Sequence, residues 1–426
     1  MIPSDGQTRK SSDALPRTGT APAPASAPRV FMMDLLAIVP YYTAYLSRAL
    51  LREGTKLTVG SITYYLDPGC FRSQGVSVDP GPLNLVSRLR LPKLPRRVLK
   101  LVEVSINLCA LTLRFIASPP DVIHVQFLPL LRSRAPMDLW FVRFFRRRGT
   151  KIVLTVHDLL PHDTGERYRS LYMNLYSQVD AIICHSDHVA ARLESEFRLP
   201  ASRINVIPHG PFFYDISPSG TAEILNSIPA APNRTLFLFQ GILFPYKGVD
   251  LLLNAWQTLE QACSDAWLVV AGTGSPELLE QIQEQAKRLG LQRVHLHPHY
   301  ISTEELVALY RAADVVVYPY RAVTTSGALA TGLALGKAMV ASDLKVFREL
   351  LTDQENSLLV NPEDRERLAA ALLLLANQPE LRAAFCARVR EMQYGDRTWQ
   401  SIAVQTRNLY KDVLRRAAPE STSRGW

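Results

Sequence analysis

Ser326 and Gly327 lie at the centre of a polar turn in the stretch YPYRAVTTSGALATGLALGKAMVASD, from Tyr318 to Asp343. The apolar run before the turn predicts a strand, and the small residues after it predict a helix. A Thr, Ser and Gly turn at a helix N-terminus offers unpaired backbone N–H groups and the positive end of the helix dipole. The segment therefore predicts a phosphate or diphosphate site, and hence a nucleotide-type ligand.

A second glycine turn contains Gly241, and Lys247 follows it just before an amphipathic helix. A lysine in this place can meet a phosphate as a mobile point charge. A surface lysine beside a helix-starting glycine is the alternative when the segment is considered alone. Its occurrence in the same half of the chain as the Ser326 turn favours phosphate binding.

His157-Asp158 and His162-Asp163 follow an apolar run that predicts a strand. An α/β domain displays functional groups at the carboxyl ends of its strands, and a histidine there can exchange protons near neutral pH. A purely structural histidine is the alternative.

Arg321, just before the Ser326 turn, could support leaving-group charge or form a surface salt bridge.

Two other patterns argue against particular chemistries. Gly272-Thr273-Gly274 follows a strand-like run but lacks the third glycine of the dinucleotide fingerprint, which disfavours a hydride-transfer enzyme. His295, His297 and His299 alternate on one face of a predicted strand without a supporting cysteine or carboxylate, so no metal site is expected.

The composition of the 426 residues predicts two cores in a soluble chain, with 47% hydrophobic residues. The net charge of +9 is uneven, because residues 1–210 carry +11 and residues 211–426 carry −2. Two basic amphipathic clusters lie in the first half: Lys93, Arg96, Arg97 and Lys100, and Arg143, Arg146, Arg147 and Arg148. They suit a solvated helix face or an anionic membrane surface, and nucleic acid is not expected as a partner.

Five scattered cysteines predict buried thiols in a reducing compartment. Residues 1–28 predict a disordered tail without a signal peptide, and no stretch predicts a transmembrane helix. We therefore expect a cytoplasmic protein with peripheral contact to the inner face of the membrane.

Apolar runs alternate with helical stretches in two series, separated by a turn-rich segment. The pattern predicts two doubly wound, Rossmann-like α/β domains that face each other across a cleft. The expected divisions are a tail (1–28), a first domain (29–215), a linker (216–233), a second domain (234–395), a helix that crosses back (396–416) and a tail (417–426).

The ordered motifs resemble those of the retaining nucleotide-sugar glycosyltransferases of family 4, which have the GT-B architecture. The resemblance runs from Val30 to Tyr410 and rests on these segments: TVHD at 155–158, VIPHG at 206–210, the turn at 241–250, the strand and turn at 269–274, AADVVVYP at 312–319, and 336–343. Their common order is more specific than any single motif.

The resemblance implies a role for each matching residue. Lys247 would contact the donor diphosphate beside Gly241, while Thr325, Ser326 and Gly327 would contact phosphate and sugar, with Arg321 as a further diphosphate contact. His157 would lie at the reacting centre, and His299 and Tyr300 at the nucleobase. Apart from the resemblance, the basic clusters and the pair Tyr41-Tyr42, in the predicted loop after the first strand, suggest the acceptor side. The implied donor is a UDP- or GDP-sugar, the acceptor a glycan or lipid-linked glycan in polysaccharide or glycoconjugate synthesis, and no metal or other cofactor is expected.

The sequence departs from the family pattern at three positions. Val323 and Thr331 stand where many members carry a pair of glutamates, and Ile242 stands where an arginine often follows the glycine. The Ser-Gly-x-Leu-x-Thr pattern at 326–331 resembles the members that lack the pair, so Thr331 would meet the ribose with a neutral hydroxyl. A non-catalytic nucleotide-sugar-binding scaffold is the main alternative, and an epimerase or phosphorylase on the same architecture is a further one.

Overall fold

The computed structural model describes residues 27–89, 91–161, 164–215, 225–226, 228, 234–392 and 395–416. The pair His162-Asp163, most of the two predicted tails and most of the predicted linker lie outside these residues. The described chain forms two parallel six-stranded sheets, each covered by helices. The predicted α/β class with two doubly wound sheets is confirmed.

The first sheet has the strand order β2-β1-β3-β4-β5-β6. Its strands and helices, in chain order, are β1 (Arg29–Met33), α1 (Pro40–Arg52), β2 (Lys56–Gly60), α2 (Cys70–Ser73), α3 (Lys93–Ala117), β3 (Val122–Val125), α4 (Met137–Arg147), β4 (Lys151–Thr155), α5 (Arg169–Ser177), β5 (Ala181–Cys184), α6 (Asp187–Ser195) and β6 (Ile204–Val206). Strands β3 and β5 are buried along their whole length, as expected for parallel strands with helices on both faces.

The second sheet has the order β12-β11-β10-β7-β8-β9. Its elements are β7 (Thr235–Gln240), α7 (Val249–Ala262), β8 (Ala266–Ala271), α8 (Pro276–Arg288), β9 (Val294–His297), α9 (Thr303–Ala312), β10 (Val315–Tyr318), α10 (Gly327–Ala334), β11 (Ala338–Ser342), α11 (Lys345–Arg348), β12 (Leu358–Val360), α12 (Arg365–Asn377) and α13 (Pro379–Glu391). One core of buried side chains spans this half. The strand order reverses beside β1 in the first sheet and beside β7 in the second. Such a reversal places a ligand crevice at the carboxyl ends of the strands.

The last helix, α14 (Trp399–Arg415), packs on the first sheet rather than the second. Trp399 Nε1 donates a hydrogen bond to the Pro211 carbonyl at 2.6 Å, and Arg407 pairs with Glu53 at 3.2 Å. The Tyr410 hydroxyl lies 2.6 Å from His124 Nδ1 inside the core. The C-terminal helix therefore contributes a polar group to the interior of the first domain.

Helix α3 is 25 residues long and exposes many apolar side chains, but it also carries charges along its length. Within the described ranges, no helix has the combined length and apolarity that a bilayer crossing requires.

Candidate active site

A cavity of about 390 Å³ lies between the carboxyl ends of the two sheets, and we call it the cleft cavity. Both domains line it. The lining includes Tyr41, Tyr42, His157, Asp158, His209 and Phe212 from the first half, and Gly241, Ile242, Tyr246, Gly272, Tyr300, Thr325, Ala328 and Thr331 from the second. A cavity of this size and position suits a small-molecule ligand.

Gly241 and Gly272 let two strand ends approach within backbone contact. Gly272 has φ +148°, and a Cβ atom built there would lie 1.9 Å from the Gly241 carbonyl oxygen. Gly241 has φ +127°, and its N–H donates to the Ala271 carbonyl at 3.0 Å. Only glycines at both positions leave this wall of the cleft cavity flat and made of backbone.

Gly272→Ala is expected to lower the free energy of unfolding by about 2–4 kcal/mol, because the new methyl group overlaps a carbonyl at a backbone angle that alanine disfavours. Gly290→Ala is the matched control, since Gly290 has φ +67° and nothing within 4 Å of a built Cβ. The control should lose about 1 kcal/mol, from the backbone angle alone. Urea unfolding measures both; equal losses would contradict the close approach.

The ammonium of Lys247 lies behind the Gly241 turn rather than in the wall of the cleft cavity. Its Nζ atom is 2.8 Å from the place where a Gly241 Cβ would stand and 5.6 Å from the centre of the Tyr320 ring. No carboxylate of the described residues pairs with it, and burial lowers the pKa of Lys247 to about 8. A desolvated cation without a counterion is well suited to bind an incoming anion.

Helix α10 begins beside the first domain. Ser326 caps it by accepting a hydrogen bond from Leu329 N at 3.1 Å. The amides of Gly327 and Ala328, which precede Leu329, have no acceptor inside the helix, as at any helix start. A Cβ atom at Gly327 would lie 2.6 Å from the Phe212 ring and 3.1 Å from His209. The absence of a side chain at Gly327 therefore permits the helix N-terminus to approach the opposite domain.

Thr331 joins the two domains through its hydroxyl. The hydroxyl donates to the Gly327 carbonyl at 2.8 Å and accepts from the Phe212 backbone N–H at 3.1 Å. The side chain is buried, while Val323 packs on the core of the second domain. In this arrangement the proton of the Thr331 hydroxyl and one of its two acceptor lone pairs are used within the protein, so the predicted ribose contact would use the second lone pair.

The imidazole of His157 is held by Gln126. His157 Nε2 lies 3.0 Å from Gln126 Oε1, and the Gln126 amide nitrogen lies 3.1 Å from His124 Nε2. An amide oxygen only accepts hydrogen bonds, so His157 carries its proton on Nε2. The Nδ1 atom is then unprotonated and keeps its lone pair. Burial holds the pKa of His157 well below its usual range, so the ring is neutral.

Three further histidines lie near His157: His124 inside β3, His185 directly after β5 and His209 shortly after β6. Burial lowers the pKa of His124 and of His209 to about 3 and that of His185 to about 4. The ring of Tyr42 contacts His157, His185 and His209 with centroids 4.8–5.2 Å apart. The first domain therefore presents a neutral aromatic wall to the cleft cavity.

Tyr41 and Tyr300 join the domains at the other end of the cleft cavity. Their hydroxyl oxygens lie 2.6 Å apart, and the Tyr41 hydroxyl also donates to Asp67 at 3.0 Å. With that donation in place, the Tyr300 hydroxyl is the donor to Tyr41. Burial raises the pKa of Tyr300 to about 12, so this bridge is uncharged at neutral pH.

Five residues that the sequence assigned to the donor do not line the cleft cavity: Lys247, His299, Arg321, Ser326 and Gly327. Lys247, Ser326 and Gly327 lie directly beside its wall, whereas His299 and Arg321 have other surroundings. His299 is exposed and contacts the His297 ring. The Arg321 guanidinium donates to the two Asp250 oxygens at 2.7 and 2.8 Å and also pairs with Glu363. Because its donors are used by carboxylates, the role that the geometry suggests for Arg321 is support of the Lys247 turn rather than direct phosphate contact.

Sequence analysis did not single out Gln126, His124 or His185 as functional residues. Gln126 and His185 each directly follow an apolar run, and His124 lies inside one. Such a position is weak evidence for a single residue and becomes informative only when the neighbouring strands are known. Among the residues that the structure describes, no three His, Cys, Asp or Glu side chains are grouped as metal ligands would be.

Two family models match the chain and together cover most of it. Residues 39–210 match the Glycosyltransferase Family 4 model, and residues 221–392 match the model for glycosyl transferases group 1. The first match runs from α1 through β6, and the second includes β7 through α13.

Named relatives match over different shares of their length. The chain is 25% identical over 398 residues to D-inositol 3-phosphate glycosyltransferase of Xylanimonas cellulosilytica, covering 88% of this chain and 91% of that protein. It is 30% identical over 208 residues to phosphatidyl-myo-inositol mannosyltransferase of Mycolicibacterium smegmatis, covering 49% and 51%. The match to an uncharacterized glycosyltransferase of Methanocaldococcus jannaschii covers 57% of this chain and 62% of that protein.

Solved structures share the architecture at low identity. Anabaena HepE in complex with UDP-glucose has a TM-score of 0.71 at 16% identity, covering 90% of this chain and all of that one. Sucrose-phosphate synthase of Thermosynechococcus elongatus has a TM-score of 0.70 at 19% identity, covering 91% and 99%. These similarities confirm the predicted GT-B fold.

Proposed function

Because the chain belongs to the group 1 glycosyltransferases, we propose that it moves a sugar from a nucleotide-sugar donor to a glycan or lipid-linked acceptor. The observation that carries the proposal is the cleft cavity, where the glycine turn at Gly241 and the start of α10 face His157 across the domain boundary. The names of two relatives describe mannosyl and glycosyl transfer, and HepE was solved with UDP-glucose. These descriptions support the nucleotide-sugar class of the donor.

We propose retention of configuration at the anomeric carbon. The bond between that carbon and the diphosphate oxygen breaks while the acceptor oxygen forms a bond on the same face. The acceptor proton passes to the departing diphosphate. Lys247 and the first amides of α10 stabilise the charge that develops on the diphosphate, which is the work that a metal ion does in other enzymes.

His157 contributes to this reaction as a neutral group. Its low pKa leaves the Nδ1 lone pair available to accept a hydrogen bond from a sugar hydroxyl at neutral pH. The aromatic wall around Tyr42 excludes water, which strengthens each remaining polar contact.

A thermal-shift panel with UDP, GDP and their sugars tests the donor class. At 100 times Kd a ligand that binds only the folded protein adds about 2.7 kcal/mol of stability, which raises Tm by several degrees. Mass spectrometry of the incubated donor then distinguishes transfer or hydrolysis from binding alone. Stabilisation without either reaction would favour the scaffold alternative, and stabilisation by neither nucleotide would contradict the proposal.

We propose that the acceptor is met at an anionic membrane surface through α3 and α4. On α3 the apolar side chains Leu94, Val98, Val102 and Leu113 are each at least half exposed, and Trp140 of α4 is 52% exposed. Arg97, Arg147 and Arg148 are exposed on the same two helices. Apolar side chains beside free cations are typical of helices that lie in a bilayer interface.

The basic cluster of α4 divides into two parts. Arg143 is bonded to Asn174 at 2.7 Å, and Arg146 pairs with Asp180 at 3.4 Å, so both are committed to packing. Arg147 and Arg148 remain for an anionic surface, since no described carboxylate pairs with them.

Changing Arg147 and Arg148 to glutamate is expected to weaken flotation with liposomes that contain phosphatidylserine, because each lost surface cation costs about 1 kcal/mol of attraction. Arg365→Glu/Arg367→Glu, on the second domain, is the control of equal charge change and should float like wild type. Unchanged flotation of the α4 variant would remove these arginines from the membrane proposal.

A further inference from the structure

A second cavity, of about 340 Å³, adjoins the cleft cavity, and we call it the side cavity. Of the described residues that line the two, His157, Asp158 and Tyr246 are shared. The two spaces therefore meet at the histidine that the proposed reaction uses. A reaction between two substrates requires two binding spaces that meet at the reacting atoms.

The walls of the side cavity are mainly apolar and aromatic, with Phe127, Leu131, Tyr172, Leu175 and Tyr176 on the first domain and Phe244 on the second. Phe244 is 47% exposed and stacks on Tyr246 with ring centroids 5.7 Å apart and planes at 12°. An aromatic pair left open to solvent beside a cavity is typical of a ligand surface. The flat, apolar faces of a sugar ring suit such walls.

Among the described residues that line this cavity, two carry charged side chains. Asp158 lies at the wall shared with the cleft cavity, where it disfavours an anion. Arg132 is exposed, its guanidinium lies 5.5 Å from the centre of the Tyr168 ring, and no carboxylate of the described residues pairs with it. The guanidinium of an exposed arginine favours a phosphate or carboxylate group.

We propose that the side cavity binds the acceptor, and that the acceptor is a sugar ring that carries an anionic group placed at Arg132. This inference rests on the proposed function and names the substrate class of its second site. The ring lies between the aromatic walls, and its free hydroxyl reaches the anomeric carbon past His157. The new glycosidic bond forms there as the diphosphate leaves with the acceptor's proton.

A third cavity, of about 230 Å³, is a less suitable acceptor site. It touches the opposite end of the cleft cavity, at the Tyr41–Tyr300 bridge, and His157 does not line it. Asp67 and Glu304 line it, and their carboxylates repel an anion.

Ligand-observed NMR titration of the full chain saturated with UDP tests the inference. The probes are glucose 6-phosphate, glucuronic acid, glucose, inorganic phosphate and octyl phosphate. At least one of the two anionic sugars should bind about tenfold more tightly than glucose or inorganic phosphate. Tighter binding of glucose 6-phosphate would identify the acceptor as a sugar phosphate, and tighter binding of glucuronic acid would identify it as a uronic acid. Equal binding of glucose, equal binding of inorganic phosphate or tighter binding of octyl phosphate would overturn the proposal.

Matched variants locate the site. Arg132→Gln should weaken the anionic sugar about tenfold, whereas Arg134→Gln, an exposed neighbour outside the lining, should not. Phe244→Ala should weaken it too, while Ile242→Ala, equally exposed but facing the cleft cavity, should affect UDP instead. Unchanged sugar affinity in both Arg132→Gln and Phe244→Ala would refute the side cavity as the site. Failure of UDP itself to bind wild type would instead refute the proposed function.

Discussion

Lys247→Met is expected to lower kcat/KM for the donor about 100- to 1,000-fold, because removing one charge-stabilising group from a preorganised site costs about 3–4 kcal/mol in the transition state. Methionine keeps the length and apolar stem of the side chain. The folded protein should be as stable as wild type or more so, since the buried ammonium has no described carboxylate partner. Steady-state kinetics and urea unfolding measure the two effects separately.

Lys337→Met is the control for Lys247→Met. The Lys337 ammonium donates to the carbonyls of Arg311 and Ala313 at 3.0 and 2.8 Å. Lys337 directly precedes β11, at the amino end of the strand and therefore opposite to the cleft cavity. Its loss should reduce stability and leave kcat/KM close to that of wild type. Near wild-type transfer by Lys247→Met would contradict the assignment of its ammonium to the leaving diphosphate.

The pH dependence of donor binding should report the same lysine. The pKa of Lys247 is about 8 in the folded protein and 10.5 in a free side chain. Donor affinity should therefore fall as pH rises through about 8, because the cation is lost. Between about pH 8 and pH 10.5 the Lys247 side chain binds more protons in the unfolded chain than in the folded one. In this range Lys247 therefore makes the free energy of unfolding rise with pH. Both dependences should disappear in Lys247→Met.

His157→Ala is expected to reduce kcat at least about 100-fold, with a smaller change in donor KM, because we propose that the imidazole contacts the reacting end of the donor rather than its nucleotide. His188→Ala is the control, since that histidine lies on α6 outside both cavities. Equal activity of the two variants would place the reacting centre elsewhere in the cleft.

Gln126→Glu tests how His157 is positioned. A carboxylate in place of the amide oxygen, 3.0 Å from Nε2, should raise the pKa of His157 by favouring the imidazolium. The rate should then fall as pH is lowered through the new pKa, since protonation removes the Nδ1 lone pair. Wild type should show no such fall near neutral pH, because its own pKa lies far lower. A flat profile in Gln126→Glu would show that Gln126 has only a structural role.

Local patterns in the sequence were sufficient for the fold class. Apolar runs such as Val122–Val125 read as buried parallel strands because their pattern depends only on burial on both faces. The glycine turn before Lys247 and the turn at Ser326 were also readable, since strand ends and helix starts are local features. Order along the chain then matched a known family, which the family models confirm.

The sequence could not show which side chains share one space. Gln126 and His157 are 31 residues apart, and their contact depends on the pairing of β3 with β4. Tyr410 reaches His124 only because α14 returns to the first sheet. The sequence left two possible roles for Arg321, support of leaving-group charge or a salt bridge. In the folded chain, Asp250 and Glu363 lie close enough to form salt bridges with it.

By itself, the sequence determined two parallel α/β domains and a helix that starts at Ser326, because those properties follow from the burial pattern and from the residue types at a helix start. Only the tertiary structure decided that His157 is neutral, that Lys247 has no described counterion and that two cavities meet beside them. Desolvation and long-range contact are properties of assembled surfaces, and residues far apart in sequence create both.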